Sequence, residues 1–361
     1  MSSPPDGSAW TVSKGGALKF GLVGLGSWGQ NYIRLIGVTE GVVLVAMCDT
    51  SADRVDFARE SAPSARATYA SSELLEADDV DAVVIATPAI THFELVRAAL
   101  LGGKHVLCEK PLALSADECE SLIELAEQVK CTLFVGHTFV YNAAVRAARD
   151  FVDRDGLGST LYAQATWAAP GPVRDDVNAL WDLAPHPISI LTHVLRAEPT
   201  TVAATGQAIL DPGREDVVSL HLRFGRSAAA DVHLSWLAPQ KVRSLMITGD
   251  RRIAVFDDMA TVDKLRLFDT SQLNGNGAHP STPPTRTITL ANEPVHVLEL
   301  PTSEPLAAQL EHFLECCRLG LTPESDGRAG TNVVRVLEAA GASLEHGGVP
   351  IEVAVEVARG V

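Results

Sequence analysis

Between residues 18 and 138, short apolar runs alternate with amphipathic stretches, and this rhythm constrains the fold more than any other feature. "LKFGLVGLG" reads as a buried strand entering a glycine turn, and "WGQNYIRLIG" as a helix closed by glycine. "VVLVAMCD" is a second strand, followed by "SADRVDFARESA", a helix opened by a Ser N-cap. "VDAVVIATP", "KHVLCEKP" and "CTLFVGH" are further strands, separated by the helices "ITHFELVRAALLGG" and "SADECESLIELAEQVK". Strand–helix alternation at this spacing demands right-handed crossovers and a parallel, doubly wound sheet. The nearly continuous apolar strands agree, because such sheets are covered on both faces.

Past about residue 155 the rhythm changes. "STLYAQATWA", "DVVSLHLRFG", "SAAADVHLSWL", "KVRSLMITGD" and "RRIAVFDD" follow one another with few helices between. The alternation Ala228, Ala230, Val232, Leu234, Trp236 predicts antiparallel strands with one packed face. "NGNGAHPSTPPT" (274–285) reads as a loop, and "EPLAAQLEHFLECCRLG" and "GTNVVRVLEAAGASLEHGG" as closing helices. The expected fold class is α/β: an N-terminal Rossmann sheet plus a C-terminal α/β domain on a mostly antiparallel open sheet. The expected organisation is a loose tail over 1–16, a dinucleotide-binding domain over 17–138, and a substrate-binding and oligomerisation domain over 139–361. One or more late helices are expected to pack back on the first domain.

Composition bounds the partners. Hydrophobic residues make up 46% and charged residues 20%, a globular balance, and the net charge of -16 argues against nucleic acid. No run reaches the roughly eighteen apolar residues of a membrane helix. The start lacks the basic and apolar regions of a signal peptide, so a cytoplasmic protein is expected. Six cysteines without C-x-x-C spacing suit a reducing compartment, and the scattered histidines give no metal motif.

"GLGSWG" sets Gly24, Gly26 and Gly29 in G-x-G-x-x-G spacing at the end of the first strand. The first glycine permits the tight turn, the second admits a pyrophosphate, and the third packs helix on strand. The helix start behind the turn favours phosphate. Asp49, at the end of the second strand, stands where a carboxylate would accept the ribose hydroxyls and repel a 2′-phosphate. NAD is therefore expected over NADP, although Thr50, Ser51 and Arg54 are near enough to hold a phosphate if the loop turns differently. Lys110, in Glu109-Lys110-Pro111, sits where a strand runs out at its carboxyl end, and can donate to a substrate hydroxyl or stabilise an alkoxide.

"GLVGLGSWG", "ATPAITH", "GGKHVLCEKPLA" and "VGHTFVYN", in this order, resemble the glucose–fructose oxidoreductase / inositol dehydrogenase / MocA family over nearly the whole chain. The resemblance implies a catalytic, substrate-contacting Lys110, a cis Lys110–Pro111 peptide, and Thr87 and Pro88 on the nicotinamide side of a cleft. It also implies cofactor contacts from Ser27, Trp28, His92 and Glu109, and substrate contacts from Tyr141 and Asn178. The family's D-x-x-x-H arrangement is matched by "DLAPH". On one helix, Asp182 and His186 would share a face, with His186 moving the proton and Asp182 orienting it. Some relatives assign proton transfer to the lysine instead. Many carry an acidic residue directly after the histidine, where this chain has Pro187.

The expected activity is hydride exchange between NAD and a ring carbinol of a sugar, most like the nucleotide-sugar 3-dehydrogenases. Lys241 and Arg243 are a basic pair suited to a pyrophosphate or carboxylate. An inositol or aminoglycoside-type substrate is the alternative, and a cofactor-bound sensor the non-enzymatic one. No metal is expected. A homodimer or homotetramer is, because the strands between 217 and 256 look too apolar to be left bare.

Overall fold

A computed structural model describes residues 16–354 except Pro172, Ser227, 271–295 and Glu299. The expected loop at 274–285 and all but the last residue of the expected N-terminal tail lie outside the described residues. The chain divides into two compact units: residues up to Glu109 with Ser121–Val135 and Leu310–Asp326, and Lys110–Glu120 with Gly136–Gln309 and the residues from Gly327 onward.

The first unit is built on six parallel strands: β1 (Leu18–Val23), β2 (Val42–Cys48), β3 (Arg66–Thr68), β4 (Ala82–Ile85), β5 (His105–Glu109) and β6 (Leu133–Gly136). Their order is β3-β2-β1-β4-β5-β6. The chain reverses direction across the sheet between β1 and β4, and it is outside that point that open α/β sheets bind ligands. Connecting helices are α1 (Ser27–Ile36), α2 (Ala52–Ser61), α3 (Ser71–Leu75), α4 (His92–Leu101) and α5 (Ala116–Val129). Leu18, Phe20, Leu22, Val83, Val84 and Ile85 are fully buried, as expected of strands covered on both faces. The late segment Leu310–Asp326 completes this core, with the Phe313 ring 5.7 Å from that of Phe20 and 5.5 Å from that of Phe134. Ser51 occupies the N-cap of α2, but its side chain makes no capping bond.

The second unit carries α6 (Ala143–Asp153), β7 (Thr160–Ala168), α7 (Ala179–Leu183), α8 (Pro185–Leu195) and β8 (Thr201–Gln207). There follow β9 (Val217–Phe224), β10 (Ala228–Ser235), β11 (Val242–Gly249), β12 (Arg252–Asp257), β13 (Leu265–Asp269), β14 (His296–Val297), α9 (Pro305–Leu319), whose residues from Leu310 belong to the first unit, α10 (Gly327–Glu345) and β15 (Ile351–Glu352). Nine strands form one sheet, ordered β14-β13-β12-β11-β7-β10-β9-β8-β15. The β10–β7 pair is parallel and the other recorded pairings are antiparallel. One face of β9 buries Val218, Leu220, Leu222 and Phe224, whereas the other exposes Ser219, His221 and Arg223. The period of two turns these apolar residues of β9 to the buried face. No helix among the described residues is long and apolar enough to cross a membrane.

Candidate functional site

The glycine turn joins β1 to α1, and its three glycines have different reasons to be glycine. Gly24 lies at φ +95°, and a Cβ there would stand 2.5 Å from the Ala86 carbonyl oxygen. At Gly29 it would stand 2.1 Å from the Gly24 carbonyl oxygen. Gly26 differs: the nearest atom to an added Cβ is Arg54 Nη1, at 4.0 Å. The fold has room for a side chain at Gly26, so the space in front of it fits a ligand's pyrophosphate rather than a packing need. No side chain caps the α1 N-terminus at Gly26, and Ser27 beside it is exposed.

This contrast makes a prediction. Gly29→Ala is expected to destabilise the fold by about 1–3 kcal/mol through overpacking. Gly26→Ala should leave the melting temperature unchanged and weaken NADH binding by roughly tenfold, about 1.4 kcal/mol. Thermal melts and fluorescence titration of the two variants separate these outcomes.

Asp49 is buried and tied to the turn. Its Oδ2 accepts from Leu25 N at 2.8 Å, its Oδ1 accepts from Ser51 N at 2.9 Å, and Arg54 Nη1 stands 3.6 Å from Oδ2. A carboxylate offers about four lone-pair sites, so capacity for a ribose hydroxyl is left. Thr50 is exposed beside it. Across the β1–β4 switch, Thr87 Oγ1 accepts from Thr91 Oγ1 at 2.7 Å, and its carbonyl meets His92 Nε2 at 2.9 Å. His92 is 1% exposed, which makes it a brace for this loop, while Pro88 is open to solvent. Glu109 is buried and accepts from Tyr32 Oη at 2.7 Å and from Trp28 Nε1. Trp28 keeps 42% of its surface exposed while its nitrogen is held.

In the second unit, Lys110 follows directly on β5 and opens the cis Lys110–Pro111 peptide. Its Nζ donates to the Asp182 carbonyl oxygen at 2.6 Å and stands 3.6 Å from Asp182 Oδ1. Trp236 Nε1 donates to Asp182 Oδ2 at 3.1 Å, and Arg174 Nη1 is 4.0 Å from Oδ1. Asp182 is thus held by two cations and one indole N–H, and none of its bonds goes to His186. That corrects the expected Asp182–His186 pair. Pro185 and Pro187 have no N–H to offer the carbonyls four residues back, so α7 ends at Leu183 and α8 begins at Pro185. The two side chains do not share one regular helix, and Asp182 turns to Lys110.

His186 sets its ring edge-on to Phe139, centroids 5.2 Å apart, and Arg243 lies over the same Phe139 ring at 5.2 Å. Its Nδ1 is sealed from solvent with no hydrogen-bond partner. Burial first, then the charge of Lys110 and of Arg243, pushes this imidazole well below its ordinary range, so it is neutral near pH 7. A neutral imidazole beside an ammonium group can take a hydroxyl proton while the ammonium meets the oxygen.

The other expected contacts are spread unevenly. Arg243 belongs to the cluster, with Nη1 3.5 Å from Asp258 Oδ2. Tyr141 is 2% exposed and lies under Arg146, whose guanidinium is 4.9 Å from the ring. Asn178 is engaged within the fold: it caps α7 by accepting from Trp181 N at 3.2 Å, and donates to Glu215 Oε2 at 2.7 Å. Trp236, Arg174 and His137 escaped the sequence reading. His137 was open to it, since it ends a strand just as Lys110 does.

Comparison with known proteins agrees with both units. Residues 18–137 match the oxidoreductase family with an NAD-binding Rossmann fold, and residues 145–255 match the GFO/IDH/MocA C-terminal domain. The chain is 28% identical to UDP-N-acetylglucosamine 3-dehydrogenase of Acidithiobacillus ferrooxidans, covering 88% of this chain and 94% of that protein. It is 26% identical to myo-inositol 2-dehydrogenase of Thermotoga maritima over 66% of this chain and 72% of the relative. A solved structure of the Acidithiobacillus ferrooxidans 3-dehydrogenase superposes with a TM-score of 0.76 at 25% identity, covering 91% of this chain and 98% of that one. With the glycine turn, the Glu109-Lys110-Pro111 strand end and both domain matches in one chain, the protein belongs to the Gfo/Idh/MocA family of NAD-binding oxidoreductases.

Proposed function

We propose that this enzyme interconverts a ring carbinol and its ketone on a nucleotide-linked hexose, with NAD as cofactor. The observation that carries the reading is the Lys110 ammonium fixed on Asp182, in one unit with a neutral His186. Bound NAD⁺ supplies the acceptor for the carbinol hydrogen and its electron pair. His186 takes the hydroxyl proton at Nε2. Lys110 has three N–H donors; Asp182 occupies part of that set, and the remainder stabilises the substrate oxygen as its charge grows. Ketone reduction uses the same groups, with His186 returning the proton.

The substrate class rests on charge. Lys241 is exposed and makes no hydrogen bond or ion pair with the described residues, and the repulsion of Arg243 adds to its desolvation in lowering its pKa. Two cations held together in a chain of net charge -16 suit a diphosphate, which a neutral polyol would not supply. The 3-dehydrogenase relative supports the same class. The inositol reading is favoured only by its own relative. The test is a panel of sugar nucleotides, inositols and free glycosides scored by NADH formation. Turnover of a sugar nucleotide, with a raised KM and unchanged kcat in Lys241→Ala, is expected. Turnover of inositol alone would overturn the assignment.

Cofactor choice follows Asp49. NAD(H) is expected to bind more tightly than NADP(H), and Asp49→Ser to narrow the gap by removing both the ribose acceptor and the repulsion. Because Asp49 also holds Leu25 N, the variant should lose some NADH affinity as well. Fluorescence titration of both cofactors checks this, and a wild type that prefers NADPH contradicts it.

A further inference from the structure

His137 belongs to this cluster, within electrostatic reach of His186 and Lys110, and takes no part in the chemistry proposed above. It follows directly on β6, as Lys110 follows directly on β5, and these strands are neighbours in one parallel sheet. Both residues therefore leave the same edge of that sheet. His137 is 1% exposed, and neither Nδ1 nor Nε2 has a hydrogen-bond partner. Buried polar atoms are nearly always paired, so two orphaned nitrogens on one ring call for an explanation. Two residues on, Phe139 packs edge-on against both His186 and Trp167, with centroids 5.2 Å apart in each case. That contact holds the turn bearing His137 against α8.

His186 has the complementary gap. Its Nδ1 is sealed and unpartnered, and the carboxylate expected to orient it is committed to Lys110. The cluster holds a base with no orienting partner and a buried imidazole with nothing to bind. We propose that His137 is the positioning residue for His186: its neutral ring accepts the His186 Nδ1–H through one bridging water, and fixes the tautomer that leaves Nε2 free for the substrate proton. Burial, reinforced by Lys110, pushes His137 down to about 3, so it stays an acceptor throughout the neutral range. When His186 takes up the substrate proton, the bond it donates toward His137 becomes charge-assisted and strengthens.

This inference rests on the reading of His186 as the base, so one arm of its test needs no substrate. In protein carrying isotope-labelled histidine, nitrogen NMR reports the tautomer of His186. The expected result is a single Nδ1–H tautomer in the wild type and a mixture in His137→Phe. Turnover by His137→Phe should fall by ~10–100-fold, as when the group orienting a ligating histidine is removed, with KM within about twofold. Its melting temperature should hold or rise, since an apolar ring replaces two unpaired nitrogens. His137→Gln restores an acceptor and should recover part of kcat and of the single tautomer. An unchanged His186 tautomer in His137→Phe, or losses in both variants that merely follow a lowered melting temperature, would overturn the proposal. A wild type that turns over nothing on the substrate panel, yet shows the tautomer shift, would fault the functional reading and leave the positioning role standing.

Discussion

Lys110→Met is expected to lower turnover by ~10²–10³-fold, the usual cost of removing a donor aimed at a developing oxyanion. The methionine keeps most of the stem's volume and removes only the ammonium. NADH affinity should stay within about twofold of wild type, because the glycine turn and Asp49 lie in the other compact unit. Asp182 then loses its nearest cation but keeps Trp236 Nε1, at 3.1 Å, and the more distant Arg174. Asp182→Asn should therefore act through Lys110. The two substitutions are expected to be markedly non-additive, with the double variant little worse than Lys110→Met alone. Steady-state kinetics of the three variants decide this. Simple additivity would separate Asp182 from the lysine.

His186→Ala is expected to cost ~10²–10⁴-fold in kcat, the range of general acid–base assistance. Its pH behaviour gives a sharper signature. Burial and the neighbouring cations depress the imidazole, so the charged form is reached only at lower pH than for a free histidine. The acid limb of kcat/KM for oxidation should accordingly fall below the ordinary histidine value of about 6.5, and His186→Ala should abolish that limb. A limb at or above the ordinary value, surviving in His186→Ala, would transfer the base role to Lys110.

The parallel sheet was legible because period and length agreed along each segment from Leu18 to Gly136. β3 and α3 were not, since "RAT" is too short and polar to announce a strand and "SSELL" too short to show a helical stripe. Nor was the parallel pairing of β7 with β10. Those strands are far apart in sequence, and alternation reports which face is buried without naming the neighbour. In the site, residue types were legible and partnerships were not. Spacing of four suggested that Asp182 orients His186, but the same stretch holds two prolines, and their missing N–H groups break the helical ladder on which that spacing depends. Asp182 met instead a lysine 72 residues away in sequence. No local pattern encodes that contact. His137 was overlooked for another reason, because a histidine ending an apolar strand passes for a core residue until its nitrogens are found unpaired.

The central claim is that His186 takes the hydroxyl proton and Lys110 stabilises the oxygen while the carbinol hydrogen passes to NAD. Deuterium placed on the oxidised ring carbon of a sugar nucleotide tests it most directly, with the cofactor analysed by mass spectrometry after a single turnover. The account predicts deuterium in the reduced cofactor and a product lighter than the labelled substrate by one deuterium and one hydrogen. It also predicts that His186→Ala and Lys110→Met slow the transfer without changing where the label goes. Label that stays in the product or exchanges into water, or transfer at the wild-type rate in both variants, would contradict it.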